Sequence, residues 1–303
     1  MEKILTNEVV KDSAFGKNFA LYLGDSAEIL KGVPGNSIDY ILFSPPFGQL
    51  YVYSNSDRDL GNCRTLDEFY TQYTFITKEL YRVLKPGRLL SFHCMQLPLS
   101  KEKDGVVALR DFRGELIKHH VDNGFLYHSE VCIYKSPVTQ MMRTKALGLL
   151  HKQLKKDSAM SRQGLADYLV TMRKPGENAE PITHTNESFP VSVWQRYADP
   201  VWMDIDQGDT LQYKSVKDEK DEKHLAPLQL GVCQRAIELW TNPHDTVLTP
   251  VLGIGSEAYM AVKMGRKAVG IELKDSYYRQ AVKNVKSVAE ETQSTLFDME
   301  DSE

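Results

Sequence analysis

A short tetrapeptide, Ser44-Pro45-Pro46-Phe47, combines residue types that can bind a flat polar ring. It directly follows an apolar run, Ile38–Phe43, that is predicted to be a buried strand, and open α/β sheets bind ligands beyond the carboxyl ends of their strands. Two prolines stiffen the backbone, so the Pro45 carbonyl can be held as a fixed acceptor beside the Ser44 hydroxyl. Phe47 can stack on a planar base, a contact worth about 1–3 kcal/mol.

This set of groups suits methylation of an exocyclic amino group. Two acceptors can hold the two amino hydrogens, draw the nitrogen out of conjugation with its ring and leave its lone pair directed at a methyl donor. Because the amino nitrogen of a base in a duplex is paired, the base must be flipped out, and an aromatic side chain offsets part of the lost stacking. The alternative is structural: a Pro-Pro turn followed by a packed phenylalanine.

A second group of residues, near the other end of the sequence, is typical of a nucleotide-binding turn. A predicted strand, Thr246–Val251, runs into Gly253-Ile254-Gly255, and a predicted helix, Ser256–Met264, is followed by a strand that ends at Glu272. Glycines let the backbone approach a ligand, and an acidic residue about twenty positions later can accept ribose hydroxyls. The GxGxxG pattern is incomplete, which disfavours NAD and favours a ligand without a pyrophosphate. The alternative is a glycine turn that only packs.

Strands and helices alternate along most of the chain, which predicts an α/β fold with a doubly wound, mostly parallel sheet. Thr65-Leu66-Asp67-Glu68 has the form of a helix capping box and opens an amphipathic stretch to about Leu84. Other predicted elements are the strands Phe19–Leu23, Leu89–Cys94 and Leu126–Tyr134 and the helices Ser26–Lys31, Phe112–Val121 and Pro227–Thr241. From about Pro137 to Glu222 the alternation fades, and basic and polar residues indicate an inserted region. The mixed-charge run Lys217–Lys223 indicates its boundary.

Composition and charge limit the class of protein. An apolar content of 42% and a charged content of 26% are those of a globular protein, and no apolar run is long enough to span a bilayer. The N-terminus lacks the apolar core of a signal peptide, and the four cysteines lie far apart. A cytoplasmic location without a disulfide framework or a metal site is therefore expected. The net charge of −4 is the sum over a basic middle segment and an acidic C-terminal segment.

The two motifs, in this order, resemble the beta-class amino DNA methyltransferases, the N4-cytosine and N6-adenine family in which the catalytic motif precedes the cofactor loop. The resemblance covers about Leu21–Lys135 and Lys223–Val285 and includes His224-Leu225-Ala226-Pro227-Leu228, which is similar to the family's HPAPFP-type segment. It implies a circularly permuted, Rossmann-like methyltransferase sheet with an inserted target-recognition region. S-adenosylmethionine as methyl donor, double-stranded DNA as partner and a role in restriction protection or DNA marking follow from the same resemblance.

The family's functional residues carry over onto the matching positions. The resemblance implies a catalytic pocket of Ser44, Pro45, Pro46 and Phe47. The predicted cofactor-binding residues are Asp25, Pro227, Thr249, Gly253, Gly255, Ser256, Glu257 and Glu272, of which Glu272 binds the ribose. Serine at the first catalytic position is usual for N4-cytosine enzymes, whereas Asp or Asn is usual for N6-adenine enzymes. Ser44 therefore favours cytosine, with adenine as the alternative.

One position departs from the family's pattern. Where the family has Asp-Pro-Phe-x-Gly-x-Gly, this chain has the run Thr249–Gly255, so the acidic residue is missing. If that carboxylate orients the cofactor, Thr249 weakens its binding. A DNA-binding protein that keeps the methyltransferase fold with reduced catalysis is then the alternative from another functional class. Glu257, eight positions on, is a candidate for a substitute charge.

Four segments are predicted: a catalytic half at residues 1–137, a target-recognition region at 138–222, a cofactor-binding half at 223–289 and an acidic disordered tail at 290–303. The predicted DNA contacts in the basic middle segment are Lys152, Lys155, Lys156, Arg162 and Arg173. A charged helix face in water is the alternative for any one of them. In the tail, the segment Gln293–Phe297 is similar to the peptide by which bacterial replication proteins bind the sliding clamp, a second predicted partner.

Overall fold

The structure of this chain, a computed structural model, describes residues 9–46, 60, 63, 65–212 and 227–300, without the side chains of residues 103 and 293–300. The strands are β1 (Asp12–Gly16), β2 (Phe19–Leu23), β3 (Ile38–Phe43), β4 (Leu84–Met95), β5 (Leu97–Leu99), β6 (Ala108–Arg110), β7 (Leu126–Ile133), β8 (Asp167–Arg173), β9 (Val201–Trp202), β10 (Thr246–Thr249) and β11 (Lys267–Glu272). The helices are α1 (Ser26–Ile29), α2 (Leu66–Val83), α3 (Lys101–Asp104), α4 (Phe112–Asp122), α5 (Pro137–Thr144), α6 (His151–Lys156), α7 (Val191–Ala198), α8 (Leu230–Trp240), α9 (Ser256–Lys263) and α10 (Asp275–Glu300).

Nine of the described strands form one sheet in the order β1-β2-β11-β10-β3-β4-β8-β7-β9, while β5 and β6 pair separately. All neighbours from β2 through β4 run parallel, as do β7 and β9. Strands β1 and β8 are antiparallel to their neighbours. The predicted α/β fold with a mostly parallel sheet is confirmed.

The order of the central strands in space differs from their order in the sequence. Strands β10 and β11, from the end of the chain, lie between β2 and β3, from its beginning. Because β2, β11, β10, β3 and β4 are parallel, their carboxyl ends lie along one edge of the sheet, which we call the carboxyl edge. The permuted arrangement therefore brings together the two motifs that are about 200 residues apart in the sequence.

Helices cover both faces of the sheet, and each face buries an apolar core. On one face α2 packs Phe69 and Tyr73 against the sheet. On the other face α8 and α9 pack residues that include Cys233 and Met260. A parallel strand buried on both faces consists almost entirely of apolar residues, and β3, which precedes the tetrapeptide, has this form.

Most predicted elements are present with bounds within a few residues of those expected. Strands β2 and β3 have the predicted bounds. Helix α2 begins after Thr65, whose hydroxyl accepts a hydrogen bond from the Glu68 amide at 3.1 Å, as a capping box requires. Within the described ranges, none of the helices combines the length and the apolar character needed to cross a membrane.

Two segments differ from the prediction. Strand β8, inside the segment expected to be an insertion, pairs antiparallel with both β4 and β7 and is part of the main sheet. Its residues are surrounded by basic and polar sequence, and its partners are distant along the chain, so local patterns do not reveal the pairing. Helix α10 continues to Glu300, past residue 290, where a disordered tail is predicted. The Glu, Gln, Leu and Met residues of this stretch favour helix.

Candidate active site

The two sequence motifs meet at the carboxyl edge of the sheet. Ser44 follows β3, Gly253 lies in the turn after β10, and Glu272 is the last residue of β11. The Gly24 amide, directly after β2, donates a hydrogen bond to the Glu272 carbonyl at 2.8 Å. Because β11, β10 and β3 are consecutive in the sheet, the predicted cofactor residues and the predicted catalytic residues lie side by side.

The turn after β3 begins with a half-buried serine and continues with two buried prolines, Pro45 and Pro46. Phe47, the fourth member of the predicted pocket, lies outside the described residues. The fixed φ of proline restricts this turn. The backbone that carries the two expected acceptors, the Ser44 hydroxyl and the Pro45 carbonyl, is thereby stiffened.

The Ser44 hydroxyl contacts a buried histidine that the sequence analysis does not single out. Ser44 Oγ lies 3.3 Å from His93 Nδ1, and His93 Nε2 lies 2.9 Å from Asp167 Oδ2. The ammonium group of Lys135 lies 2.6 Å from the same carboxylate oxygen. His93 lies near the carboxyl end of β4, beside β3, and this position in a predicted strand is a sequence signal for a site residue. The sequence offers no such signal for Asp167, because local patterns do not predict β8.

The turn after β10 has the backbone conformation that glycine favours. Gly253 has a φ of +55° and Gly255 a φ of +94°. A Cβ atom on Gly253 would meet nothing within 4 Å, so this position borders open space, whereas one on Gly255 would lie 3.2 Å from Ala281. The Glu272 carboxylate accepts hydrogen bonds from the amides of Gly253 at 2.7 Å and Lys274 at 2.9 Å. The turn and the acidic residue thus form one hydrogen-bonded unit.

Three further predicted cofactor residues, Thr249, Ser256 and Glu257, are buried around this turn. The Thr249 hydroxyl donates to the carbonyl of Val251 at 3.4 Å, within its own loop. Burial raises the pKa of the Glu257 carboxyl to about 8, and the neighbouring Glu272 carboxylate contributes to the rise. Near pH 7 Glu257 is therefore mostly protonated, and it places a neutral carboxyl group beside the turn.

The remaining predicted cofactor residues lie at the start of helices. Asp25 follows β2 and caps α1, since its carboxylate accepts from the amide two residues on at 2.9 Å. The next residue, Ser26, donates its hydroxyl proton to the Pro250 carbonyl and so ties α1 to the glycine turn. Pro227 precedes α8, and the helix cap Gln229 is buried with an Oε1 atom that has no hydrogen-bond partner among the described residues.

These residues fit a nucleoside that carries a charged amino acid tail, as S-adenosylmethionine does. The Glu272 carboxylate oxygens are acceptors of the kind that ribose hydroxyls need, and Gly253 leaves room for close approach. The unpartnered Gln229 oxygen can accept a hydrogen bond from an ammonium group. The third glycine that a pyrophosphate needs is absent.

The basic segment between β7 and β8 leaves and rejoins the sheet at the carboxyl edge, because β7 ends and β8 begins there. Within this segment, α6 exposes Lys152, Lys155 and Lys156. Arg162 is half-buried, donates to the carbonyl of Gln163 at 3.0 Å, and has its guanidinium pKa lowered by burial. The three lysines of α6 are therefore the freest of these charges.

Arg173, the fifth predicted DNA contact, lies at the other end of β8. Its guanidinium donates to the carbonyls of Gly87 at 3.4 Å and Gly176 at 3.3 Å. Seven strand residues separate this end from the carboxyl edge, a distance of about 20 Å. The structure does not bring Arg173 together with the other predicted site residues.

The family model for N6/N4 DNA methylases matches residues 38–283. This chain belongs to that family. The match covers Ser44-Pro45-Pro46-Phe47, the basic segment and the glycine turn, and the family includes enzymes for both amino groups. S-adenosylmethionine is the family's methyl donor.

Three known proteins illustrate the relationship. The type II methyltransferase M.BglII of Bacillus subtilis is 22% identical over 259 residues, or 85% of this chain and 66% of that enzyme. The structure of TTHA0409 from Thermus thermophilus, complexed with S-adenosyl-L-methionine, matches with a TM-score of 0.67 at 20% identity and covers 89% of this chain and 93% of that one. The cytosine-N4-specific PvuII DNA methyltransferase matches with a TM-score of 0.62 at 17% identity, covering 90% and 92%. The two structural matches show the shared fold.

The predicted clamp-binding segment, Gln293–Phe297, lies on α10 of this DNA methylase family member. Its side chains are outside those that the structure describes. Clamp binding stays a prediction, and a pull-down with the clamp and the Leu296→Ala, Phe297→Ala double variant would test it.

Proposed function

We propose that this protein is a site-specific DNA methyltransferase that transfers a methyl group from S-adenosylmethionine to the exocyclic N4 amino group of a cytosine flipped out of double-stranded DNA. The observation that carries the proposal is the pairing of β3 with β10. It puts Ser44 and Pro45 beside the turn that contains Gly253 and the carboxylate of Glu272.

The residues of the tetrapeptide act on the amino group. The Ser44 hydroxyl oxygen and the Pro45 carbonyl accept hydrogen bonds from its two N–H bonds, which draws the nitrogen lone pair out of the ring. S-adenosylmethionine, when bound, supplies a methyl group on a positively charged sulfur. Gly253 and Glu272 hold the nucleoside end of the donor at the neighbouring strand ends, so the lone pair and the methyl group are held within reach of each other.

DNA binding is assigned to the basic segment. The exposed lysines Lys152, Lys155 and Lys156 are charges that phosphates can neutralise, and the segment emerges at the carboxyl edge beside Ser44. Arg162, which is half-buried, is a weaker candidate, and Arg173 is not included. A protein of net charge −4 can bind DNA in this way because affinity for phosphate depends on local clustering of charge.

Cytosine is favoured over adenine because the first catalytic position is Ser44, the residue usual for N4-cytosine enzymes. The structural likeness to a cytosine-N4-specific enzyme agrees but concerns the fold alone. Mass spectrometry of nucleosides from DNA of cells that express the protein distinguishes the two products. We expect N4-methylcytosine with the wild type and neither product with Glu272→Ala. N6-methyladenine in its place would overturn the choice of base.

The second candidate function is a methyltransferase fold with reduced catalysis. It is favoured by Thr249, which stands where the family has an acidic residue. Its hydroxyl bonds within its own loop, and no acidic residue stands at this position. Isothermal titration with S-adenosylmethionine separates the two candidates. Binding that is lost in Glu272→Ala supports the enzyme, whereas no binding to the wild type supports the second candidate.

A further inference from the structure

Ser44 is the first member of a row of polar side chains that crosses the sheet. The row continues through His93 on β4 to Asp167 on β8, where Lys135 completes it. His93 is 8% exposed and Asp167 is 1% exposed, so solvent screens the contact between these two residues only weakly. Neither His93 nor Asp167 is one of the two proposed acceptors for the amino hydrogens, which are the Ser44 hydroxyl and the Pro45 carbonyl.

The charge on Asp167 determines the direction of the hydrogen bonds in this row. Burial alone raises the pKa of the Asp167 carboxyl, but His93 and Lys135 together lower it below its usual range. An ionised carboxylate can only accept, so His93 must donate from Nε2. A neutral imidazole then carries its lone pair on Nδ1, the atom that faces Ser44 at 3.3 Å.

The direction of these hydrogen bonds also orients the Ser44 hydroxyl group. Because His93 Nδ1 accepts, the Ser44 hydroxyl donates its proton to the histidine, and its oxygen lone pairs are left to face the substrate. With the opposite tautomer, the Ser44 hydroxyl proton would be turned toward the target amino group, where a donor is of no use.

We propose that His93 acts through Ser44 as the acceptor of the proton that the methylated amino nitrogen loses, and that Asp167 is a positioning residue that fixes the histidine tautomer. The proposal rests on the proposed transfer to an exocyclic amino group and holds for cytosine or adenine.

The atoms and charges balance. The amino nitrogen's lone pair forms the new N–C bond, the electron pair of the broken S–C bond stays on the donor's sulfur, and the nitrogen becomes positively charged. That nitrogen then releases a proton to Ser44 Oγ while the original Ser44 proton moves to His93 Nδ1. The resulting imidazolium is stabilised by the Asp167 carboxylate and passes its extra proton to water when the product leaves.

A second polar pair on the same strands provides a matched control. Ser91 on β4 and Thr171 on β8 are both buried, and their hydroxyl oxygens lie 2.8 Å apart. This pair joins the same two strands as His93 and Asp167 but does not include the substrate-facing serine. The Ser91→Ala, Thr171→Val double variant therefore removes a buried hydrogen bond between β4 and β8 and leaves the row intact.

The kinetic test measures single-turnover methyl transfer at saturating S-adenosylmethionine and DNA. Asp167→Asn keeps the shape and an oxygen that accepts from His93 Nε2, but it removes the negative charge that stabilises the imidazolium. We expect its rate to fall about 100-fold or more, with unchanged affinities for both ligands. His93→Ala should lose rate similarly and regain part of it when imidazole is added. The Ser91→Ala, Thr171→Val control should keep the wild-type rate.

A structural test does not depend on activity. Nitrogen-15 NMR of histidine-labelled protein reports which ring nitrogen carries the proton, and the signal missing from His93→Ala identifies His93. We expect the Nε2–H form in the wild type and, because the amide oxygen still accepts from Nε2, in Asp167→Asn as well. A wild-type Nδ1–H form overturns the proposal, as does an active wild type whose Asp167→Asn variant is equally fast. A wild type that methylates no DNA contradicts the proposed function instead.

Discussion

At the scale of single residues, removing the Ser44 hydroxyl tests the proposed reaction directly. It is half-buried, follows β3 and contacts His93. Ser44→Ala removes one of the two proposed acceptors for the amino hydrogens, so we expect the methyl-transfer rate to fall about 100-fold. The affinity for S-adenosylmethionine should be unchanged, because the proposed donor site lies on the neighbouring strands. Single-turnover kinetics and titration calorimetry measure the two quantities.

The control for this change lies at the other end of the same strand. The Ser37 hydroxyl donates to the Pro34 carbonyl at 2.7 Å, just before β3 begins. Ser37→Ala should therefore keep the wild-type rate. An active wild type whose Ser44→Ala variant is equally fast would show that the hydroxyl takes no part in the reaction.

Single residues also show how far the sequence predicts this site. Ser44 and Glu272 could be placed because each follows a recognisable apolar strand and has a local motif. The contact between His93 and Asp167 depends on the register of β8 against β4, which pairs His93 with Leu169 and Met95 with Asp167. No local pattern encodes that register. The charge state of Glu257 cannot be predicted from the sequence for a related reason, because it depends on burial by residues that are distant along the chain.

At the scale of elements, a buried arginine joins the two halves of the permuted sheet at the edge opposite the site. Arg88 of β4 is 1% exposed, and its Nε donates to the Asp39 carbonyl at 2.8 Å. Its guanidinium also pairs with the carboxylate of Asp245, which precedes β10. The Asp39 carboxylate in turn accepts from the Thr246 amide at 2.8 Å. These contacts connect β3 and β4 with β10, strands from opposite ends of the chain.

Removing this arginine should destabilise the whole sheet. Arg88→Met leaves the carboxylate of Asp245 without its buried partner, and breaking a buried pair on one side typically costs about 3–5 kcal/mol. We expect a loss of this size in the free energy of unfolding, measured by urea denaturation. The exposed pair of Lys118 and Asp122 offers a comparison, since Lys118→Met should cost less than about 0.5 kcal/mol. Equal effects of the two substitutions would contradict the structural role of Arg88.

The short basic helix α6 is the element that we expect to govern affinity for DNA. Replacing Lys152, Lys155 and Lys156 together with glutamine should weaken binding of specific and unrelated DNA alike. The slope of log affinity against log salt concentration should also become shallower, by about 0.9 for each phosphate that the variant no longer neutralises. Fluorescence anisotropy at several salt concentrations measures both effects.

A triple variant with the same change in charge serves as the control. Lys263 of α9 and Lys283 and Lys286 of α10 are exposed and lie outside the basic segment. Their replacement with glutamine should leave the salt slope at its wild-type value. If both triple variants lower the slope equally, the effect comes from net charge and α6 has no special role.

At the scale of the whole molecule, the same burial that builds the two cores makes stability depend on pH in both directions. Burial lowers the pKa of His119 to about 4 and that of His120 to about 3, and it raises the pKa of Glu257 to about 8. Unfolding restores ordinary values. The stability that the neutral histidines contribute is lost as pH falls below about 6.5, and the stability from protonated Glu257 is lost as pH rises toward 8.

The loss of stability with rising pH can be assigned to Glu257. Between pH 6.5 and pH 8 unfolded Glu257 is ionised while the folded form is largely protonated, so the wild type should lose on the order of 1 kcal/mol of unfolding free energy across this interval. Glu257→Gln keeps a neutral side chain of similar shape and should flatten that slope. The decline from pH 6.5 to pH 4.5, to which His119 and His120 contribute, should remain and serves as the internal control. Urea unfolding at pH 4.5, 6.5 and 8 measures these changes, and an undiminished alkaline slope in Glu257→Gln would show that another group causes it.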